Sequence, residues 1–88
     1  MTVLGMDIDQ VERLATSMQH NADAISTATA ALTSQIDSTQ WTGQDQATFR
    51  SDWDSTYSVQ LRNVVNALQD RCTHLRAEAE QQRQASGN

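Results

Sequence analysis

The side chains able to do chemistry are few and scattered. His20 and His74 are the two imidazoles, Cys72 is the lone thiol, and Asp52 and Asp54 place two carboxylates around Trp53. Imidazoles suit metal ligation or a pH switch, a thiol suits nucleophilic or redox work, and paired carboxylates suit acid–base catalysis. The spacing argues against each use. The histidines stand in opposite halves with no Cys/His/carboxylate group at ligand spacing, so both read as solvent-facing polar residues. Asp52 and Asp54 are two positions apart, and on a helix such neighbours point away from each other. Cys72 falls among apolar residues at helical spacing and reads as a buried, inert thiol. The sequence also lacks a nucleophile elbow, a phosphate loop and a zinc motif. The expectation is a protein without enzymatic activity, cofactor or metal.

What the chain does concentrate is aromatic mass. "WTGQDQATFRSDWDSTY", Trp41 to Tyr57, holds both tryptophans, the only phenylalanine and the only tyrosine, and it lies at the midpoint around Gly43. The rest is rich in Ala, Gln, Ser and Thr, with three glycines and no proline. Nothing therefore has to break a helix interior, where proline costs about 3 kcal/mol. At 88 residues and 38% hydrophobic, the chain is a single domain near the lower limit for an independent core. Part of its core is expected to come from a partner.

The formal net charge is −5 and every basic residue is arginine. Residues 1–40 carry five acids against Arg13 alone, whereas the second half is nearly balanced. Such a chain repels phosphate backbones and anionic lipid surfaces, which excludes nucleic acid as an expected partner. Stable membrane insertion is excluded as well, because the longest apolar run is three residues against the roughly 20 a spanning helix needs. "MTVLGMDIDQ" lacks the basic start and apolar run of a cleaved signal peptide, and a single cysteine allows no internal disulfide.

The elements that carry these residues are two helices. Ile8, Val11, Ala15, Met18, Ala22, Ile25, Thr29, Leu32 and Ile36 follow at alternating steps of three and four, a heptad stripe. Asp7 and Gln10 form a capping box ahead of it, and Met6 is placed to staple onto Val11. The reading is a helix over about 7–38 and a turn over about 39–43. Thr42 and Asp45 then form a second capping box before a helix over about 44–82, with a flexible tail at 83–88. In the second helix Phe49, Trp53, Tyr57, Leu61 and Val65 run at steps of four, and Leu68, Cys72, Leu75 and Ala79 continue the stripe. Long helices joined by so short a turn pack antiparallel. A lone hairpin leaves one apolar face wet, so the fold class is an all-α helix-turn-helix hairpin that dimerises into a four-helix bundle. Candidate packing and dimer-interface residues are Val11, Met18, Ile25 and Leu32 on the first helix and Leu61, Val65 and Leu68 on the second.

In that frame the aromatic stretch caps the open end of the hairpin. Trp41, Phe49 and Trp53 fill the gap left by slender side chains. Gly43 lets the chain turn against the indole, through a positive φ or through close approach. Trp41 is read first as a hairpin lock, and alternatively as a recognition element.

Around Trp41-Thr42-Gly43 the chain resembles the WXG-motif family, small helical hairpins related to the mycobacterial early secreted antigens. The midpoint Trp-x-Gly turn, the helical flanks and the downstream Ala47, Phe49 and Trp53 carry the resemblance, which covers nearly the whole chain. It implies a substrate or component of a type VII (ESX-type) secretion system, cytoplasmic before export and secreted without a cleaved signal peptide. It also implies pairing with itself or with a WXG-family paralogue, engagement of the secretion machinery, and no catalytic site. The resemblance further implies an export signal Tyr-x-x-x-Asp/Glu after the second helix. Here no tyrosine follows Tyr57; His74 and Glu78 copy only the spacing. Two alternatives stand beside this reading: an adaptor or chaperone-like partner of a larger exported toxin, and a membrane-lytic effector, which the acidic polar face disfavours.

Overall fold

The computed structural model describes residues 7–87, all helix apart from the turn between two long arms and the capping residue Asp7. Helix α1 spans Ile8–Ser38. Asp7 caps it, its carboxylate accepting from the Gln10 backbone N–H at 3.0 Å, which satisfies one of the free amides of the first turn. The expected Met6 staple lies outside the described residues. The return arm is α2 (Gln44–Asp52), a π-helical turn at Trp53–Tyr57, and α3 (Ser58–Gly87), in unbroken succession.

Two boundaries differ from the sequence reading. The Thr42–Asp45 capping box does not form: Gly43 is the N-cap of α2 and no side chain caps it. Gly43 has φ of 122°, and an added Cβ would meet nothing within 4 Å. Of the two roles open to this glycine, the positive φ is the one in use, and that conformation pulls the Thr42 side chain out of capping register. The expected flexible tail at 83–88 is helical through Gly87; Asn88 lies outside the described residues. The tail is held because Arg83 donates to Glu12 of α1 at 2.7 Å and to Glu80 at 2.8 Å, with Gln84 also donating to Glu80. No proline and no interior glycine is there to stop the helix.

The arms run antiparallel, which the cross-helix hydrogen bonds display. Arg83 meets Glu12 and Arg76 meets Thr16 near one end, while Trp53 meets Thr33 and Arg50 meets Ile36 near the other. The core is a single seam of Ala15 and Ala22 against Val65, Cys72 and Ala79, closed at the turn end by Trp53. Ala15, Ala22 and Ala79 are completely covered; residues this small let the backbones approach closely. One consequence is a bond from the Cys72 thiol to the Ala15 carbonyl at 3.3 Å. Val11, Met18, Ile25, Leu61, Leu68 and Leu75 flank this line half-buried.

Leu32 leaves the seam. It is 45% exposed, and Thr33 turns inward in its place. A straight α-helix has 3.6 residues per turn, so a heptad pattern slips by about 20° per repeat. By the fourth repeat the next residue has rotated into the position the pattern assigned to Leu32.

Candidate functional site

The turn end holds the chain's distinctive surface. Thr39–Gly43 carries the backbone from α1 to α2, and the aromatic side chains gather against that turn. Trp41 and Phe49 have ring centroids 6.0 Å apart, and Phe49 and Trp53 6.5 Å, both tilted, within the range in which aromatic pairs attract. The three rings form a file from surface to core: Trp41 is 42% exposed, Phe49 37% and Trp53 7%. Beside them lies an open recess of about 250 Å³ lined by Leu32, Gln35, Ile36, Thr39 and the three rings.

The tryptophans thus have different roles. Trp53 is the buried anchor, and its indole N–H donates to the Thr33 hydroxyl at 2.9 Å, so the ring is buried without an orphaned donor. Thr33 in turn donates its hydroxyl proton to the Thr29 carbonyl, and Thr29 donates to Ile25. Trp41, placed by the sequence at the hairpin lock, keeps much of its ring in solvent. It leans on Phe49 and does not plug the core.

Arg50, which sequence reasoning passed over, ties the turn together. Its guanidinium donates to the Ile36 carbonyl at 3.0 Å and stands 3.6 Å from the Asp37 carboxylate. The last turn of α1 has no basic residue of its own, and its carbonyls carry the negative end of the helix dipole. Arg50 brings the missing cation from the other arm. The absence of Lys or Arg in the last turn before Thr39 is the signal available in the sequence. Thr33 was equally visible, as the residue that 3.6-fold periodicity carries into the seam.

Along the arms the hairpin has two unlike faces. Leu14 and Leu32 of α1 and Val64 of α3, 51%, 45% and 47% exposed, sit on the same flank of their helices as the half-buried Met18, Ile25, Leu68 and Leu75. Antiparallel packing brings both flanks to one side of the molecule. Glu12, Thr16 and Asp23 of α1 and Arg62, Arg76 and Arg83 of α3 occupy the other side. There the Arg83 guanidinium is pushed above its ordinary range, first by its hydrogen bond to Glu12 and then by that to Glu80. A larger recess of about 530 Å³ on this polar side is open and lined by Ser26, Thr29, Thr33, Asp54, Ser58 and Arg62 among others.

The other sequence candidates stay apart. His20 and His74 are exposed on different helices, and Asp52 and Asp54 flank Trp53 without meeting. Among the described residues, no group of three or more His, Cys, Asp or Glu is placed to hold a metal ion. Nor is any described helix long and apolar enough to cross a membrane. Cys72 is buried, with Arg76 donating to its sulfur at 3.1 Å. The aromatic file and the apolar flank are the exposed apolar surface of the hairpin. Comparison with protein-family models, curated proteins and solved structures finds no match to this chain.

Proposed function

We propose that this chain is a WXG-type helical hairpin that works as a protein-interaction module of a type VII (ESX-type) secretion system, paired with itself or with a similar hairpin. The observation that carries the reading is the uncovered apolar side of a thin hairpin whose bend is a Trp-x-Gly turn. The molecule measures 65 × 17 × 13 Å with a radius of gyration of 19.4 Å, against about 12 Å for a compact chain of this length. Its accessible surface is 6247 Å², about 1,000 Å² beyond that of a compact monomer of its mass. Along this side the exposed Leu14 and Leu32 stand eighteen residues apart on α1, about 27 Å at 1.5 Å per residue, and the aromatic recess carries the strip on to the bend. A second hairpin laid along it would complete a four-helix bundle and cover Leu14, Leu32 and Val64.

The tail refines the proposal. α3 continues as helix through Gly87, and no tyrosine follows Tyr57. A paired hairpin that bears Tyr-x-x-x-Asp/Glu would carry the chain out of the cell as its passenger, coupled to it through the bundle interface. Expressing the chain with and without the product of a neighbouring gene, then assaying the medium, tests this. Export that depends on the partner's tail supports the reading. Export from a strain lacking every such partner would overturn it and shift attention to the Trp41–Gly43 turn.

A further inference from the structure

Trp53 and Val65 are both 7% exposed and both face α1, yet they are twelve residues apart. On a regular α-helix of 3.6 residues per turn, that separation leaves two side chains roughly 120° out of line. Both cannot then point at the same neighbouring helix. The π-helical turn lies between them: the Ser58 backbone N–H donates to the Trp53 carbonyl, five residues back. A single π turn accommodates one residue more than the α-helix around it. Counting one residue out of the interval brings Trp53 and Val65 within roughly 20° of each other.

We infer that the π turn at Trp53–Tyr57 is a phase-setting insertion, which holds the aromatic file at the bend in line with the seam and the apolar flank of α3. On the α2 side of the turn it fixes Trp53 against Thr33 and Arg50 against Ile36. On the α3 side it fixes Val65 and Cys72 against α1. The steps of four from Phe49 to Val65 are the sequence imprint of this device. In a regular α-helix of the same length, without the π turn, they would wind the aromatic residues away from the seam. The turn's own side chains are expendable for setting the phase. Asp54, Ser55 and Thr56 are exposed, and the Ser55 hydroxyl only returns to the Ser51 carbonyl at 2.7 Å. What matters is that the turn absorbs one residue.

The second consequence rests on the pairing proposed above. With the phase kept, the recess beside Trp41 and Phe49 and the exposed Leu14, Leu32 and Val64 form one strip, and a second copy of this chain could lie along all of it. With the phase lost, the strip is split at the bend.

The test deletes Ser55 in a Trp41→Phe background, where Trp53 is the sole indole. The deletion leaves an eleven-residue interval from Trp53 to Val65, which is nearly in phase on a regular α-helix. It is therefore expected to turn the π turn into α-helix, with far-UV helicity intact and Trp53 as protected from iodide as in Ser55→Ala. Adding one alanine after Gln60 to the undeleted chain makes the interval thirteen, one more than a single π turn absorbs, and is expected to shift Trp53 emission to the red and open it to iodide quenching. Combining the two changes restores the twelve-residue interval and is expected to protect Trp53 again, even if the added alanine alone unfolds the chain. A deletion that exposes Trp53, or an added alanine that leaves it as protected as Ser55→Ala, would overturn the inference. Mass measurement on the same proteins separates the two readings. If Trp53 responds as described while the parent chain is monomeric, the phase inference stands and pairing with a second copy fails.

Discussion

Replacing the two tryptophans should give unequal losses, the smaller one at Trp41 of the Trp-x-Gly motif. Trp53 is 7% exposed and its indole N–H is bonded to Thr33. A well-buried large aromatic cut back to alanine costs about 3–5 kcal/mol. Trp41 is 42% exposed and rests on one side of Phe49, so scaling by covered area puts Trp41→Ala near ~2 kcal/mol. A chain of this size has a total stability on the order of 4–13 kcal/mol, and a single-seam hairpin belongs at the low end. Trp53→Ala should therefore abolish the cooperative transition or nearly so, while Trp41→Ala only lowers it. Trp53→Phe gives a measurable middle case: it keeps most of the ring but loses the bond to Thr33, about 1 kcal/mol. Urea melts followed by far-UV circular dichroism, at one fixed protein concentration so that association is held constant, provide the comparison. If Trp41→Ala costs as much as Trp53→Ala, the assignment of anchor and surface ring is wrong.

Other substitutions probe the remaining supports. Gly43→Ala should cost about 1–3 kcal/mol, because φ of 122° is strained for any residue with a Cβ even though nothing crowds the site; an unchanged melting midpoint would remove the glycine's role. Arg50→Met should cost about 1 kcal/mol through loss of the cation at the end of α1, with Arg50→Lys recovering part of it in the same melts. Ala22→Leu, at a fully covered seam position, should cost about 1–3 kcal/mol by forcing the arms apart, and thermal melts would show it. Arg83→Gln should speed amide exchange in the last turns of α3 while leaving the Trp53 end untouched, since only the tie to Glu12 and Glu80 is lost.

The arms are legible in the sequence because each carries long, proline-free apolar periodicity, and the first has a marked start at Asp7. The bend is legible through Gly43 and the crowding of aromatic residues. What stays concealed follows from two small geometric effects. The heptad pattern assigns Leu32 to the seam, and only the slip of a 3.6-residue helix against a 3.5-residue repeat shows why Thr33 replaces it. The steps of four after Phe49 suggest a stripe winding around the helix, whereas a π turn that absorbs one residue brings Trp53 and Val65 back into line. Polar composition makes the tail look flexible; what orders it is a pair of ion contacts to residues near in space, one of them 71 positions away. Among the sites, the burial of Cys72 can be read from its spacing. The division of labour between Trp41 and Trp53 cannot, since it depends on which ring the bend turns inward.

The central claim is that the apolar side of the hairpin is covered by another hairpin, and native mass decides it. Sedimentation equilibrium on the chain, alone and after co-expression with the product of a neighbouring gene, should show a two-hairpin particle in at least one case. Leu14→Asp and Val64→Asp, exposed in the single hairpin, should dissolve that particle, because pairing would bury an uncompensated charge. A 9.8 kDa particle that unfolds cooperatively on its own at every concentration, and is indifferent to both substitutions, would contradict the account.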